Sequence, residues 1–390
     1  MTSKGMVNRR EFVAAAGVAG GLAWFGGCGG IPGSTPDAYE VAVLGDTHFD
    51  AEPESVYHSH YDESNKYAQI QHEEFRRNGE MWRKRCRDLL ASSARLAHER
   101  ETGFVLQVGD IIQGDCDDAS THKKMLDDCI RMLRAPYPSG IPFLTVVGNH
   151  DFRGKGAKEA YYQFAEPFMT AEVGRLGGEG LKCADLQPAV AVKYPAFSFR
   201  KGPDLWVFCH FETQNLQPII DLIAADPGAR HVFLVTHGPF SADDSRFFRW
   251  RLGGGNRCDA LRPCLYELLS RRHAVVLSGH SHTTTYWRHE NRFGSFCEFT
   301  ANSVWAKPEL ATGEPIHDDP RDYGALTMSQ LEGEKLADYR HALDFFRPGL
   351  KGYFFSKAAG HYRLQVEAGK VEMAFYPGAT RTPARTFRLA

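Results

Sequence analysis

The sequence predicts an α/β fold in which helices cover β-sheets, and two observations carry that reading. Apolar runs of strand length alternate with segments of helical period, the pattern of sheets covered by helices. Five clusters of histidine or acidic residues each follow an apolar run directly. In open α/β sheets ligands bind beyond the carboxyl ends of the strands, which is where these clusters fall.

Taken in order, Gly29 to Pro36 is a Gly/Pro/Ser linker, and Glu40 to Leu44 reads as a buried strand. Trp82, Cys86, Leu89, Leu90, Ser93 and Leu96 recur at helical spacing and predict an amphipathic helix over about residues 78–99. Phe104 to Val108 is an apolar strand running into Gly109-Asp110. Met125, Leu126, Cys129, Ile130 and Leu133 mark the next helix, and Ile141 to Val147 the next strand. The alternation continues with strand Leu205–Cys209, a helix around Leu216–Ala225, strand His231–Val235, helix Leu261–Arg271 and strand Ala274–Leu277. Downstream the period shortens to two. Thr284–His289 and Ser295–Thr300 around Asn291-Arg292 predict one hairpin, and Tyr362–Glu367 and Val371–Tyr376 around Ala368-Gly369-Lys370 a second.

A chain of 390 residues buries a substantial core, and 43% hydrophobic with 24% charged residues is ordinary for a globular protein. The formal net charge of −2 supplies no basic field, so nucleic acid is not an expected partner.

The first 35 residues do not read as fold. Arg9-Arg10-Glu11-Phe12-Val13, followed by the small and apolar run Ala14 to Phe25, resembles a twin-arginine export signal. The run is too short to span a bilayer as a mature helix. Gly26-Gly27-Cys28 resembles a lipoprotein cleavage box that would make Cys28 a lipidated N-terminus, although Phe25 replaces the usual aliphatic residue; release by signal peptidase is the rival. The expected partners here are the export machinery and, through a lipid anchor alone, the membrane; the expected location is outside the cytoplasm, periplasmic or as a membrane-anchored lipoprotein. Export would mature the other cysteines in an oxidising compartment. None forms a CxxC pair, so a zinc knuckle is not expected; Cys258 with Cys264 and Cys116 with Cys129 are close enough in sequence to pair, and buried free thiols are the alternative.

The five clusters are Asp46-Thr47-His48, Gly109-Asp110, Gly148-Asn149-His150-Asp151, Thr236-His237-Gly238 and Gly279-His280-Ser281-His282. Their mixed nitrogen and oxygen donors suit Mn, Fe or Zn, and are too nitrogen-rich for Ca or Mg. Two ions about 3.5–4 Å apart need a shared ligand, and a carboxylate bridges where imidazole does not. Asp110 is the natural bridge. Asp46 and His48, one residue apart on a turn, can grip one ion from the same side, and Asn149 adds a donor without adding charge.

In order and spacing these blocks resemble the signature of the calcineurin-like metallophosphoesterases, which runs D-x-H, G-D, G-N-H-D/E, H and G-H-x-H. The resemblance implies a two-sheet β-sandwich flanked by helices, completed by C-terminal strands. It implies one metal on Asp46, His48, Asp110 and His282, and a second on Asp110, Asn149, His237 and His280. It further implies that His150 faces the substrate, with Asp151 and Asp115 as supporting candidates. Residues 36–390 would then form one domain, with a motif core over 40–305 and a C-terminal extension over 306–390. Relatives often carry an Asp three residues after the bridging Asp, paired with the catalytic His; here that position is Gln113, and Asp115 or Asp117 are the candidate substitutes. Purple acid phosphatases place a metal-binding Tyr there, so Gln113 also argues against a purple iron centre.

The expected activity is that of an exported metal-dependent phosphoric ester hydrolase acting on phosphomonoesters or phosphodiesters, small or polymeric. A hydroxide bridging two divalent ions would attack phosphorus and His150 would assist the leaving group. A catalytically silent binding or scaffold lipoprotein on the same fold, or a metal-dependent nuclease, are the alternatives. Among lesser features, His58 and His60 read as an exposed loop. Arg246, Phe247, Phe248, Arg249, Trp250 and Arg251 read as a substrate lid or an ordinary surface segment. His122, His210, His231, His273 and His289 read as structural or solvated, and His341 and His361 as parts of a C-terminal tail.

Overall fold

The computed structural model describes residues 37–390 apart from 51–53, 59–72, 74, 78, 178–181, 185–195, 210, 212–214, 246–251, 253–259 and 305–315. The export-signal residues Arg9 and Arg10, Cys28, His60, His210, Cys258 and the segment Arg246 to Arg251 lie outside the described residues.

Fourteen strands among the described residues form two mixed sheets. They begin with β1 (Tyr39–Leu44), β2 (Thr102–Gln107), β3 (Phe143–Thr145), β4 (Lys182–Ala184), β5 (Ala196–Lys201), β6 (Asp204–Cys209) and β7 (Val232–Thr236). Then come β8 (Val275–Ser278), β9 (Thr284–Asn291), β10 (Gly294–Thr300), β11 (Leu350–Ser356), β12 (Gly360–Glu367), β13 (Lys370–Pro377) and β14 (Arg385–Arg388). The main helices are α1 (Arg87–Glu99), α2 (Ala119–Arg134), α3 (Ala157–Arg175), α4 (Gln217–Ala224), α5 (Arg262–Arg271) and α6 (Gly333–Phe346). The first sheet runs β14-β13-β12-β1-β2-β3 and the second β11-β9-β10-β8-β7-β6-β5-β4. C-terminal strands thus complete both sheets, β12 to β14 beside β1 and β11 beside β9.

The near-continuous apolar strands follow from burial on both faces. In β1, Val41 and Val43 face the core between the sheets, while Ala42 and Leu44 face the helices. In β7, Phe233 and Val235 point inward, while Val232 and Leu234 point outward. Between the sheets Trp206 stacks on Phe233 at 4.1 Å, and Phe104 from the opposite sheet meets Trp206 edge-on at 5.1 Å. Helices α1 to α3 cover the outside of the first sheet with Leu89, Met125, Leu126 and Phe164; α4 to α6 cover the second with Ile219, Leu265 and Tyr339. Asp118 caps α2 by accepting from Thr121 N at 2.8 Å. The result is the helix-flanked two-sheet sandwich that the motifs imply.

Several expectations are corrected. The strand expected over Ile141–Val147 shrinks to Phe143–Thr145, because β3 is an edge strand with β2 as its one neighbour. The first hairpin turns at Arg292-Phe293, since Asn291 stays in β9 and its Oδ1 accepts from Phe293 N at 2.7 Å. Helix α3 escaped the periodicity because its apolar residues are not confined to one stripe, and Pro167 sits inside it. His58 does not lie in an exposed loop: it is buried, stacked on Phe75 at 3.9 Å, with Nδ1 donating to Asp115 O at 3.1 Å. Cys116 and Cys129 are not paired; both are buried free thiols, donating to Met125 Sδ at 3.5 Å and Ile111 O at 3.4 Å. His361 belongs to β12 rather than to a tail, buried and stacked on Tyr376 at 5.0 Å. No helix among the described residues is long and apolar enough to cross a membrane.

Burial holds His289 down to about 3 and His361 down to about 4. Both are therefore neutral when folded, while an unfolded imidazole takes up a proton near pH 6.5. The unfolded chain then binds more protons, so stability is full above pH 6.5 and falls as pH drops toward the folded values. Each group should cost on the order of 2 kcal/mol at pH 5 relative to pH 8. Denaturant unfolding in chelator at both pH values should show the gap narrowing by that amount in His289→Gln. An unchanged gap would mean that His289 is not buried neutral.

Candidate metal centre

The site lies where the ends of two sets of parallel strands meet. Within the first sheet β1, β2 and β3 run parallel, and within the second β7 and β8 do. Past β1 come Asp46 and His48; past β2, Asp110; past β3, Asn149 and His150. His237 follows β7, and His280 and His282 follow β8.

Hydrogen bonds between the loops fix these side chains. Thr47 N and His48 N donate to Asp110 O at 3.0 and 2.9 Å, tying the ends of β1 and β2. Across the sheets, His280 N donates to both carboxylate oxygens of Asp46 at 3.1 Å. Val304 N and Ser303 Oγ donate to Asp46 O, each at 3.0 Å, and His237 Nδ1 donates to Val108 O at 2.8 Å. That last bond sets the tautomer and leaves His237 Nε2 facing the centre.

Three groups of donor atoms lie within 4.8 Å of one another: Asp46, His48 and His282; Asp110, His237 and His280; and His48, Asp110 and His150. His282 Nε2 is 3.0 Å from Asp46 Oδ2 and from His48 Nε2. His237 Nε2 is 3.2 Å from Asp110 Oδ2 and 3.3 Å from both His280 Nδ1 and Asn149 Oδ1. Asp110 Oδ2 is also 3.7 Å from His48 Nε2, which places this carboxylate between the two groups. All seven sequence-expected donors are therefore brought together. Imidazole nitrogens aimed at one another around carboxylates fit two divalent cations, because a cation replaces lone-pair contacts with bonds.

Backbone strain marks the same residues. His48 (φ 39°), Asp110 (φ 51°), His280 (φ 69°) and His282 (φ 53°) all occupy the left-handed region. Non-glycine residues are uncommon there, at a cost of order 1–3 kcal/mol each, and persist where surrounding contacts over-determine them. The motif glycines supply room. A Cβ on Gly148 would collide with the Asp110 carboxylate, and one on Gly279 with that of Asp46.

His150 is set beside the centre rather than in either main group. Its ring meets His48 edge-on at 4.4 Å, its N donates to Asp110 Oδ1 at 2.7 Å, and its Nδ1 donates to Gln113 O at 2.9 Å. The Gln113 side chain accepts from His48 Nδ1 at 3.1 Å, turning His48 Nε2 inward. Asp151 points away from the donors. Its carboxylate accepts from Ile111 N, Ile112 N and Gly148 N at 2.9, 3.2 and 2.8 Å, joining the second motif to the third. Asp115 pairs with Arg153.

The sequence reading missed three supports. Trp82 Nε1 donates to Thr47 O at 2.7 Å and to His48 O at 3.0 Å, from a π-helical turn (Trp82–Cys86), a form common at functional sites. Gln107 accepts from Gly109 N at 3.0 Å and from Thr145 Oγ1 at 2.6 Å. A glutamine ending an otherwise apolar strand was the available signal. The third, Arg153, lies with one guanidinium nitrogen 2.9 Å from His150 Nε2 and 3.0 Å from its Nδ1.

Charge is distributed to suit cations. Burial, with neighbouring histidines, holds His48 and His280 well below the usual imidazole range. Burial also pushes His237 down, but the Asp110 and Asp46 carboxylates outweigh it and hold His237 up to about 9. Asp110, against its own burial, is held well below the usual carboxylate range by His237 and His150. A cation entering the site would displace the His237 proton.

A helix-flanked sandwich with buried His/Asp clusters at its strand ends defines a metal-dependent hydrolase class. The model of the calcineurin-like phosphoesterase family matches residues 39–284, and this chain belongs to that family of metal-dependent phosphoric ester hydrolases. No curated protein matches it. Among solved structures, PhoD aligns at 12% identity with a TM-score of 0.48, covering 92% of this chain and 69% of its own. A dimetal phosphatase from Danio rerio gives 12% identity and a TM-score of 0.48 over 90% of this chain and 99% of its own. The purple acid phosphatase PPD1 from yellow lupin (Lupinus luteus) seeds gives 12% and 0.48 over 92% and 54%.

Proposed function

We propose that this chain is an exported phosphoesterase that cleaves phosphomonoester or phosphodiester bonds with two divalent metal ions. One ion would be held by Asp46, His48, Asp110 and His282, the other by Asp110, Asn149, His237 and His280. The observation that carries this reading is the convergence of those donors from both sheets, with Asp110 Oδ2 within 3.2 Å of His237 Nε2 and 3.7 Å of His48 Nε2. When bound, such a pair supplies a nucleophilic hydroxide at neutral pH and neutralises charge on the phosphoryl oxygens. The chain's own share is positioning, since phosphoryl transfer asks little covalent chemistry of a protein.

His150 is assigned the proton for the leaving oxygen. Its Nδ1–H is committed to Gln113 O, so the exchangeable position is Nε2. Burial holds its pKa down to about 4, so the resting imidazole is neutral. A phosphoryl anion alongside would favour the protonated form and so bring the proton with the substrate. The Arg9-Arg10 pair with its apolar run supports export by the twin-arginine route, and Gly26-Gly27-Cys28 supports an anchored lipoprotein.

Asp110→Asn should abolish activity and sharply lower occupancy of both metals, because an amide lacks the negative charge that lets two cations sit so close. Elemental analysis of the purified variant checks this; two metals retained with near-normal turnover would sink the assignment.

His150→Ala should keep both metals and lose rate by roughly 10²–10⁴-fold, the usual reach of general acid catalysis. The loss should shrink for substrates with good leaving groups. Should metal content fall in step with activity, His150 is a ligand instead.

Replacing Arg9 and Arg10 by lysine should block export, because the export receptor reads guanidinium and not charge alone. Cys28→Ala should leave export intact and release the protein from the membrane, as the several acyl chains of a lipoprotein anchor firmly. Cell fractionation separates the two questions: a cytoplasmic wild type refutes export, and a soluble periplasmic wild type refutes only the anchor.

A further inference from the structure

Phe211 lies in none of the five motif blocks, yet the fold brings it against the centre. Strand β6 pairs in parallel with β7, so its carboxyl end opens at the same edge as His237. Two residues past that end stands Phe211, half-buried. Its ring centroid is 5.3 Å from that of His237, edge-on at 68°, and 5.2 Å from that of His280, tilted at 45°. The two imidazoles are themselves 5.0 Å apart at 71°, so the three rings pack as a triangle.

His237 and His280 are the two histidines assigned to the second ion, and both are buried. His280 Nδ1 faces His237 Nε2 at 3.3 Å. Imidazole binds an ion through a lone pair in its ring plane, so an ion shared by both rings is held only while both keep their angles. Aromatic rings at this spacing prefer tilted and edge-on packing, and one phenyl ring in contact with both imidazoles opposes their rotation. An imidazole that lets go of its ion is stabilised in that state by water. The apolar shell of a metal site controls how readily water arrives, and a phenyl ring offers it no hydrogen bond. The first set differs: there the His282 side chain is 31% exposed.

We infer that Phe211 is a positioning residue for the second ion. It holds His237 and His280 at their ligating angles and slows that ion's exchange with solvent, without bonding to the ion. The inference rests on the two-metal reading above and adds an order of release to it. The ion on Asp46, His48, Asp110 and His282 leaves first, and the ion beside Phe211 leaves second.

The test loads full-length wild type, Phe211→Ala and Phe211→Leu with manganese, transfers each to excess chelator, and follows the metal remaining per chain. Wild type should lose its two ions in two phases, fast and then slow. Phe211→Ala should speed the slow phase about 10- to 100-fold, the usual worth of a group supporting a metal ligand, and leave the fast phase unchanged. Phe211→Leu, apolar but without a ring to set the angles, should fall between. Anomalous diffraction from crystals of the half-emptied wild type should place the remaining manganese at His237 and His280. A single phase in wild type, a slow phase unchanged in both variants, equal acceleration of both phases, or a remaining ion at His48 and His282 would each overturn the inference while leaving two metals in place. Wild type that takes up fewer than two ions would refute the two-metal reading and the inference with it.

Discussion

The centre depends above all on Asp46 being held from the opposite sheet. It leaves β1 in the first sheet, yet its carbonyl accepts from Ser303 and Val304, which follow β10 in the second. Its carboxylate accepts from His280 N, which follows β8. Donors from both sheets can share one small volume only if the sheets keep a fixed separation, and the core between them, where Phe104 of the first sheet meets Trp206 of the second, holds it. Interior packing resists change in volume, so the core transmits that spacing to the site. The sandwich and the centre are one mechanical system.

This dependence gives the motif spelling a physical reading. Glycine appears in G-D, G-N-H and G-H-x-H without ligating anything. At Gly148 and Gly279 the space of a side chain is taken by the carboxylates of Asp110 and Asp46. The residues around them take up left-handed backbone angles that bring imidazoles and a carboxylate inward. Such strain is held by contacts such as Asp151, whose buried carboxylate collects three amide hydrogens from two loops. A residue lettered into the motif beside a candidate ligand can thus be structural. Both carboxylate oxygens of Asp151 accept from backbone N–H groups.

Much of this was legible in the sequence because it is local. An apolar run ending in a polar cluster identifies both a strand and the end at which a site forms, and the strands bearing donors all emerged near their expected places. Helix α3 did not, because a helix packed on more than one side has no single apolar stripe to detect. Long-range partners were also hidden. Nothing near Trp82 in the chain indicates that its indole would support the turn at His48. Likewise the polar run around His58 gives no sign that Asp115 and Phe75 would enclose it.

Gln113 shows how a departure from a motif can be absorbed. Relatives often carry an aspartate there, paired with the catalytic histidine. Here the glutamine side chain orients His48 through Nδ1, and its main-chain carbonyl orients His150 through Nδ1. One residue therefore fixes the inward nitrogen of a candidate metal ligand and of the candidate proton donor. An amide does this without negative charge. Beside it the Asp115 carboxylate pairs with Arg153, so those two charges offset each other. Substituting amide for acid at this position thus gives up a carboxylate partner for His150 while keeping both imidazoles oriented through one residue.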